Sequence, residues 1–149
     1  MVKFTPEQAA AIAAIKQVIY EWGDELDVHD GLSIETAGVL APDVRYFVGG
    51  EWREGIQATG QFYRDRKARL AENAPVMRHI ITSLRIKFDG DSHASIGFLL
   101  VFFAKAGEPP FVGYCDPLAV ADVRMECSRD ATGDWLISRF DSGQIFQRG

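Results

Sequence analysis

Ile12, Ile15, Ile19, Trp22 and Leu26 recur at three- and four-residue steps and lay one apolar stripe along a helix. Just ahead of the stripe, Thr5-Pro6-Glu7-Gln8 supplies its start. Threonine is the N-cap, proline takes the first helical position, and glutamine three residues after the cap completes a capping box. The helix is expected to run to about Val28, and Asp30 can cap a short second helix through about Ala37. "DVRYFVGG" and "EWRE" read as two short strands around a Gly49-Gly50 turn, followed by a helix from Gly55 to about Glu72.

From Pro75 onward the apolar period changes from helical to two. Strands are predicted over about Val76–Phe88, Ala94–Ala106, Phe111–Ser128 and Trp135–Phe146, with turns at Gly90-Asp91, Gly107–Pro110 and Thr132-Gly133-Asp134. Helices first and a meander of long antiparallel strands afterwards make the class α+β. Helices laid on the concave face of a curved sheet enclose a cone, and a core that does not fill it leaves an apolar pocket. In that geometry the inward-pointing polar side chains are the informative ones.

One such side chain breaks the pattern. In "MRHIITSLRIKF", Leu84, Ile86 and Phe88 alternate with Arg85 and Lys87, which turns the even-numbered residues to the core. His79 has the opposite parity, although it sits in the most apolar part of the strand. Either it points to water, or the register shifts by one residue after it.

The chain has 149 residues, enough for a sizeable core in one domain, and 47% of them are hydrophobic. A net charge of -5 argues against nucleic-acid or anionic-membrane partners, which need clustered positive charge. No apolar run suits a signal peptide or a membrane span, so a cytoplasmic location is expected. Cys115 and Cys127 lie far apart and read as reduced core residues. Neither metal-ligand spacing nor a phosphate-binding glycine pattern occurs, so no cofactor and no metal are expected.

"YEWGDELDVHD" crowds acids at a helix C-terminus, where the helix dipole disfavours them. Asp27 falls at the border of the apolar stripe, on one line with Tyr20, and Gly23 between them leaves open space. Taken alone, Asp27 is also explained as a solvated acid or a cap, and His79 as a strand-edge histidine satisfied by water or a backbone carbonyl. Together they offer more. A helix-borne carboxylate that accepts one imidazole proton leaves the other nitrogen as a basic acceptor facing the pocket. Trp135, Ile137 and Arg139 share a strand face, so Arg139 can enter the cone or remain an ion-paired surface residue. Tyr46, Tyr63 and Tyr114 are candidate hydroxyl donors, and Tyr20, Trp22 and Phe102 candidate pocket wall.

These segments carry a resemblance. "YEWGDELDVHD" is similar to the opening helix of the scytalone dehydratases, with an acid at the position of Asp27. "RHIITSLRIKF" and the closing "GDWLISRFDSGQIF" resemble strands of the hexachlorocyclohexane dehydrochlorinases, Arg139 matching a pocket arginine. Both belong to the SnoaL-like division of the nuclear transport factor 2-like superfamily, and the order of elements agrees over nearly the whole chain. The resemblance implies a single domain over residues 1–149 with a cone-shaped α+β barrel, cystatin-like in fold. It also implies an Asp27–His79 dyad, a bulge near Ile80–Thr82, and a homodimer or homotrimer formed through the outer sheet face.

The implied activity is cofactor-free elimination from a small apolar cyclic molecule, or a related isomerisation or cyclisation, with a non-catalytic ligand-binding or assembly subunit as the alternative. The chain departs from the pattern in three places. "GFLLVFFAK" lacks the second histidine of the dehydratases, Leu26 stands for their tyrosine, and Trp22 stands for the dehydrochlorinase lysine. Neither substrate carries over.

Overall fold

The computed structural model describes residues 2–149. Helix α1 spans Pro6–His29, and its capping box closes as expected: Gln8 N–H donates to Thr5 Oγ1 at 3.1 Å and Thr5 N–H to Gln8 Oε1 at 2.9 Å. Ile15, Ile19, Trp22 and Leu26 of its stripe are buried.

The short second helix does not form. Asp30 instead ends α1 in the left-handed region, at φ 55°, and Gly31 follows at φ 75°. Residues 31–36 then close only single i→i+3 turns. Gly31 is required for space as well as angle, since a Cβ there would stand 2.5 Å from Cγ of Tyr63. The buried Glu25 holds these turns by accepting the Ser33 N–H at 2.6 Å.

Strand β1 (Leu40–Val48) and strand β2 (Glu51–Glu54) form a hairpin around Gly49-Gly50, whose φ values of 64° and 83° suit a two-residue turn. Helix α2 covers Ile56–Leu70 and leads through a short 3-10 turn into the long strands. These are β3 (Val76–Phe88), β4 (His93–Lys105), β5 (Ala119–Arg129) and β6 (Trp135–Gln147).

β5 starts later than the sequence suggests. Pro109, Pro110 and Pro117 offer no backbone N–H, and Gly107 and Gly113 take positive φ, so residues 106–118 form a loop instead of a ladder. Cys115 is exposed in that loop, contrary to its expected place in the core, whereas Cys127 is buried on β5, where burial pushes its thiol up to about 12.

The six strands lie in the order β2-β1-β6-β5-β4-β3, with β1 and β6 parallel and every other pair antiparallel. The sheet curves without closing, and α1 lies over β3 and β6. Trp22 is the hub of the enclosed core, with Phe98 on β4 and Phe140 on β6 at ring distances of 6.4 and 5.2 Å.

Three bulges decide which side chains enter the cone, one of them at Ile145, which is left over between Gln144 opposite Ala121 and Phe146 opposite Val120 and so turns Phe146 outward. On β3, Thr82 pairs with Leu99 but Arg85 with Gly97, so Ser83 and Leu84 together oppose Phe98, with Ser83 at φ 57°. Met77, His79 and Ile81 therefore face inward before the bulge, and Leu84, Ile86 and Phe88 after it. The register does shift after His79, slightly later than the expected Ile80–Thr82. On β6, Glu126 pairs with Arg139 and Cys127 with Ile137, which leaves Ser138 as the extra residue. Inward positions change from Trp135 and Ile137 to Phe140, Ser142 and Gln144.

Candidate active site

The last turns of α1 and the first half of β3 meet at one carboxylate. Asp27 Oδ1 lies 2.5 Å from His79 Nδ1, and the His79 backbone N–H donates to both Asp27 oxygens at 3.0 and 3.2 Å. The side chains of His79 and Asp27 are 12% and 11% exposed. With Nδ1–H given to the carboxylate, Nε2 carries the free lone pair. The imidazole also packs against Phe102 at 4.6 Å and meets the edge of Trp22 at 6.0 Å, so its plane is fixed from three sides. Gly23 assists differently than expected. The space beside it is filled by Ile81 Cδ1, which would lie 3.2 Å from any Cβ at that position.

His79 forms part of the wall of a cavity of about 430 Å³. Trp22, Leu26, Leu100, Phe102 and Phe140 supply apolar surface, and Asp27 stands behind the histidine. Tyr46 and Tyr63 supply a polar element. The Trp22 indole N–H donates to the Tyr46 hydroxyl at 2.8 Å, and the Tyr46 and Tyr63 hydroxyls are 2.7 Å apart. Indole can only donate, so the arrangement that uses every donor runs Trp22→Tyr46→Tyr63 and leaves the Tyr63 O–H to the cavity. Arg66, one helical turn after Tyr63, also lines the cavity, as do Ser142 and Gln144.

Burial raises both tyrosine hydroxyls: Tyr46 stands well above its ordinary range, and Tyr63 is pushed from 10.0 to about 12, with the Tyr46 hydrogen bond and the Arg66 charge opposing the rise. The folded chain thus disfavours tyrosinate. Below pH 10 both folded and unfolded tyrosines are protonated and Tyr63 contributes its full stability. As pH rises toward about 12 the unfolded form releases its proton first, and that stability is lost. The loss is on the order of 3 kcal/mol for Tyr63. Urea denaturation between pH 9 and 12 is expected to show this decline, and Tyr63→Phe to flatten it; an unchanged slope in the variant would contradict the assignment.

Of the candidates from sequence, His79, Trp22, Tyr46, Tyr63 and Phe102 share the cavity, and Asp27 supports it. Three do not. Arg139 lies on the outer sheet face, over Trp52 at 5.1 Å and paired with Asp141 at 3.5 Å, because the Ser138 bulge gives the inward position to Phe140. Tyr20 is 48% exposed on the outside of α1, and Tyr114 is 89% exposed in the loop before β5. Sequence reading missed Arg66, Ser142 and Gln144. The Tyr63–Arg66 spacing of three residues, which places both on one helix face, was the available signal for the first. Periodicity carried none for the other two.

Among the described residues, no group of His, Cys, Asp and Glu could hold a metal ion, and no helix is long and apolar enough to cross a membrane.

Two helices on a curved, unclosed six-stranded sheet, with a side-chain-lined cavity between them, define an α+β fold of the nuclear transport factor 2-like, cystatin-like class. The family model described as SnoaL-like domain matches residues 7–141, and the chain belongs to that family. Solved structures of similar fold include a protein from Catenulispora acidiphila, 22% identical over 92% of this chain and 93% of that one, with a TM-score of 0.73. Hexachlorocyclohexane dehydrochlorinase LinA-type3 from Novosphingobium barchaimii is 14% identical over 94% and 90% of the two chains, at a TM-score of 0.72. An NTF2-like protein with a cystatin-like fold from Novosphingobium aromaticivorans is 17% identical over 100% and 95%, at 0.70. No curated protein matches the sequence.

Proposed function

We propose that the chain is a cofactor-independent lyase that eliminates water or another small leaving group from a cyclic substrate. The observation that carries this reading is an imidazole with its Nδ1 side held by Asp27 and its ring on the wall of a largely apolar cavity. His79 Nε2 takes a proton from carbon, and the electron pair left behind forms the new double bond as the leaving group departs. Asp27 stabilises the imidazolium that results. When the leaving group is hydroxide, the Tyr63 O–H, aligned by Tyr46 and Trp22, donates a hydrogen bond to the departing oxygen, and the proton taken by His79 passes to that oxygen, so that water leaves and both residues return to their starting states. Burial pushes the Tyr63 hydroxyl up to about 12, so it serves this step as a neutral hydrogen-bond donor and not as a source of tyrosinate. Isomerisation through an enol, or ring closure through an enolate, needs the same base and donor. The dehydrochlorinase of similar fold supports elimination as the leading chemistry. A screen of hydroxylated and halogenated rings, with wild type against His79→Asn, tests the reading; equal turnover by both proteins would overturn it.

A second observation concerns the outer sheet face. Ile80, Val101, Val120 and Phe146 pair in register across β3, β4, β5 and β6 and form an apolar row, with Phe146 67% exposed. We propose that this row packs against further copies of the chain in a homodimer or homotrimer. Light scattering is expected to give a multiple of the chain mass, and Ile80→Asp with Phe146→Asp to give the monomer. A monomeric wild type would rule the assembly out, and co-purification with an unlike subunit would favour the non-catalytic alternative.

A further inference from the structure

The cavity holds one fixed positive charge. Arg66 lines it, yet among the described residues no carboxylate pairs with its guanidinium. The acids of the adjoining loop are already engaged: Asp30 takes Lys67 at 2.6 Å and Glu35 takes Arg64. Among the described residues the one partner of the Arg66 guanidinium is Met77 Sδ at 2.9 Å, a weak acceptor that leaves most of its five donors free. Arg66 is half-buried, so its charge is partly removed from water without being neutralised by protein.

Its position relative to the base is set by the strand. Met77 and His79 are alternate inward residues of β3, roughly 7 Å apart along the chain. Arg66 thus touches the residue two before His79 on β3, and both Arg66 and His79 line the same cavity. Tyr63, three residues before Arg66 on α2, places its hydroxyl on the same side of the cavity. The arginine is an anchoring point beside the reacting centre, not part of it.

We infer that Arg66 anchors an anionic substituent, and that the ligand of this cavity is a cyclic compound bearing a carboxylate. The inference rests on the reading of this cavity as the substrate site and deepens it by naming the substrate class. A planar carboxylate matches the fork of the guanidinium, and the apolar walls take the ring. In a chain of net charge -5, this local cation is what lets an acid enter. Neutral rings of the same shape fill the walls but leave the guanidinium without a partner.

Calorimetric titration with 2-naphthoate and with its neutral counterpart 2-naphthamide tests this at constant ring shape. Wild type is expected to bind the acid at least about tenfold more tightly than the amide, the scale of one charge-assisted hydrogen-bond pair. Arg66→Gln should bring the two affinities within about twofold of each other, while Arg66→Lys keeps part of the preference. His79→Asn should keep the full preference, which separates this inference from the elimination mechanism: loss of turnover reads the base, and loss of acid selectivity reads the arginine. Equal binding of the two probes by wild type, no binding of either, or a preference that survives Arg66→Gln would overturn it. A preference abolished by His79→Asn would place the anion on the imidazolium and overturn it equally.

Discussion

Asparagine at position 79 is expected to lower turnover by about a hundredfold or more, with the fold retained. The substitution keeps a polar side chain of moderate size beside Phe102 and keeps the backbone N–H that Asp27 accepts, so the contact between α1 and β3 survives. What it removes is the nitrogen lone pair that faces the cavity. Asp27→Asn reaches a similar loss by another route. Its carboxamide oxygen can still accept the His79 backbone N–H, but its NH2 donates toward Nδ1, which moves the ring proton to Nε2 and blocks the base. Both variants are compared with wild type by single-turnover rates, with circular dichroism as the check on folding. In wild type, activity is expected to fall toward acid pH, because a protonated imidazole accepts no proton. A fully active Asp27→Asn protein would show that the tautomer is not what the carboxylate fixes.

Trp22→Ala is expected to be the most damaging single change to stability, at about 3–5 kcal/mol. Trp22 is 1% exposed, packs against Phe98, Phe140 and His79, and alone supplies the N–H that Tyr46 accepts. Its removal opens a void at the junction of α1 with the sheet and leaves a buried hydroxyl short of a partner. Such a loss is a large fraction of the roughly 5–15 kcal/mol that holds a typical domain together. Tyr46→Phe isolates the second effect, since the ring remains and only the hydroxyl, with its bonds to Trp22 and Tyr63, is lost; about 1–2 kcal/mol is expected. Urea midpoints for the two variants check both values, and equal losses would assign the whole effect to the hydrogen bond.

Much of this was legible in the sequence where local rules act alone. The Thr5–Gln8 capping box, the apolar stripe of α1, the Gly49-Gly50 turn and the span of β3 follow from chemistry within a few residues. The Asp27–His79 meeting was foreseen only through family resemblance, because nothing in a spacing of 52 residues says that the two side chains touch. The failures have one main cause. Alternation by two assumes an unbroken ladder, and a single inserted residue reverses it. On β3 the parity of His79 left a surface position and a register shift both open, and the resemblance implied a bulge near Ile80–Thr82, which the structure places at Ser83. At Ser138 no residue looked misplaced, so alternation left Arg139 open to the cone, the resemblance placed it in the pocket, and Phe140, Ser142 and Gln144 went unnoticed. The missing helix after α1 failed differently: Asp30 can cap a helix start or end one in the left-handed region, and the crowding of Gly31 against Tyr63 selects the second.

The Ser83 bulge has a consequence beyond the aim of one imidazole. β3 is the terminal strand of an open sheet, thirteen residues long, with one row of backbone groups facing no neighbouring strand. A straight edge of that length would be a template on which a foreign strand could dock and aggregation begin. The kink at Ser83 breaks it into two short, differently twisted halves, and Arg78, Arg85 and Lys87 place like charges along both. The deformation that turns His79 into the cavity therefore also blunts the exposed edge of the sheet.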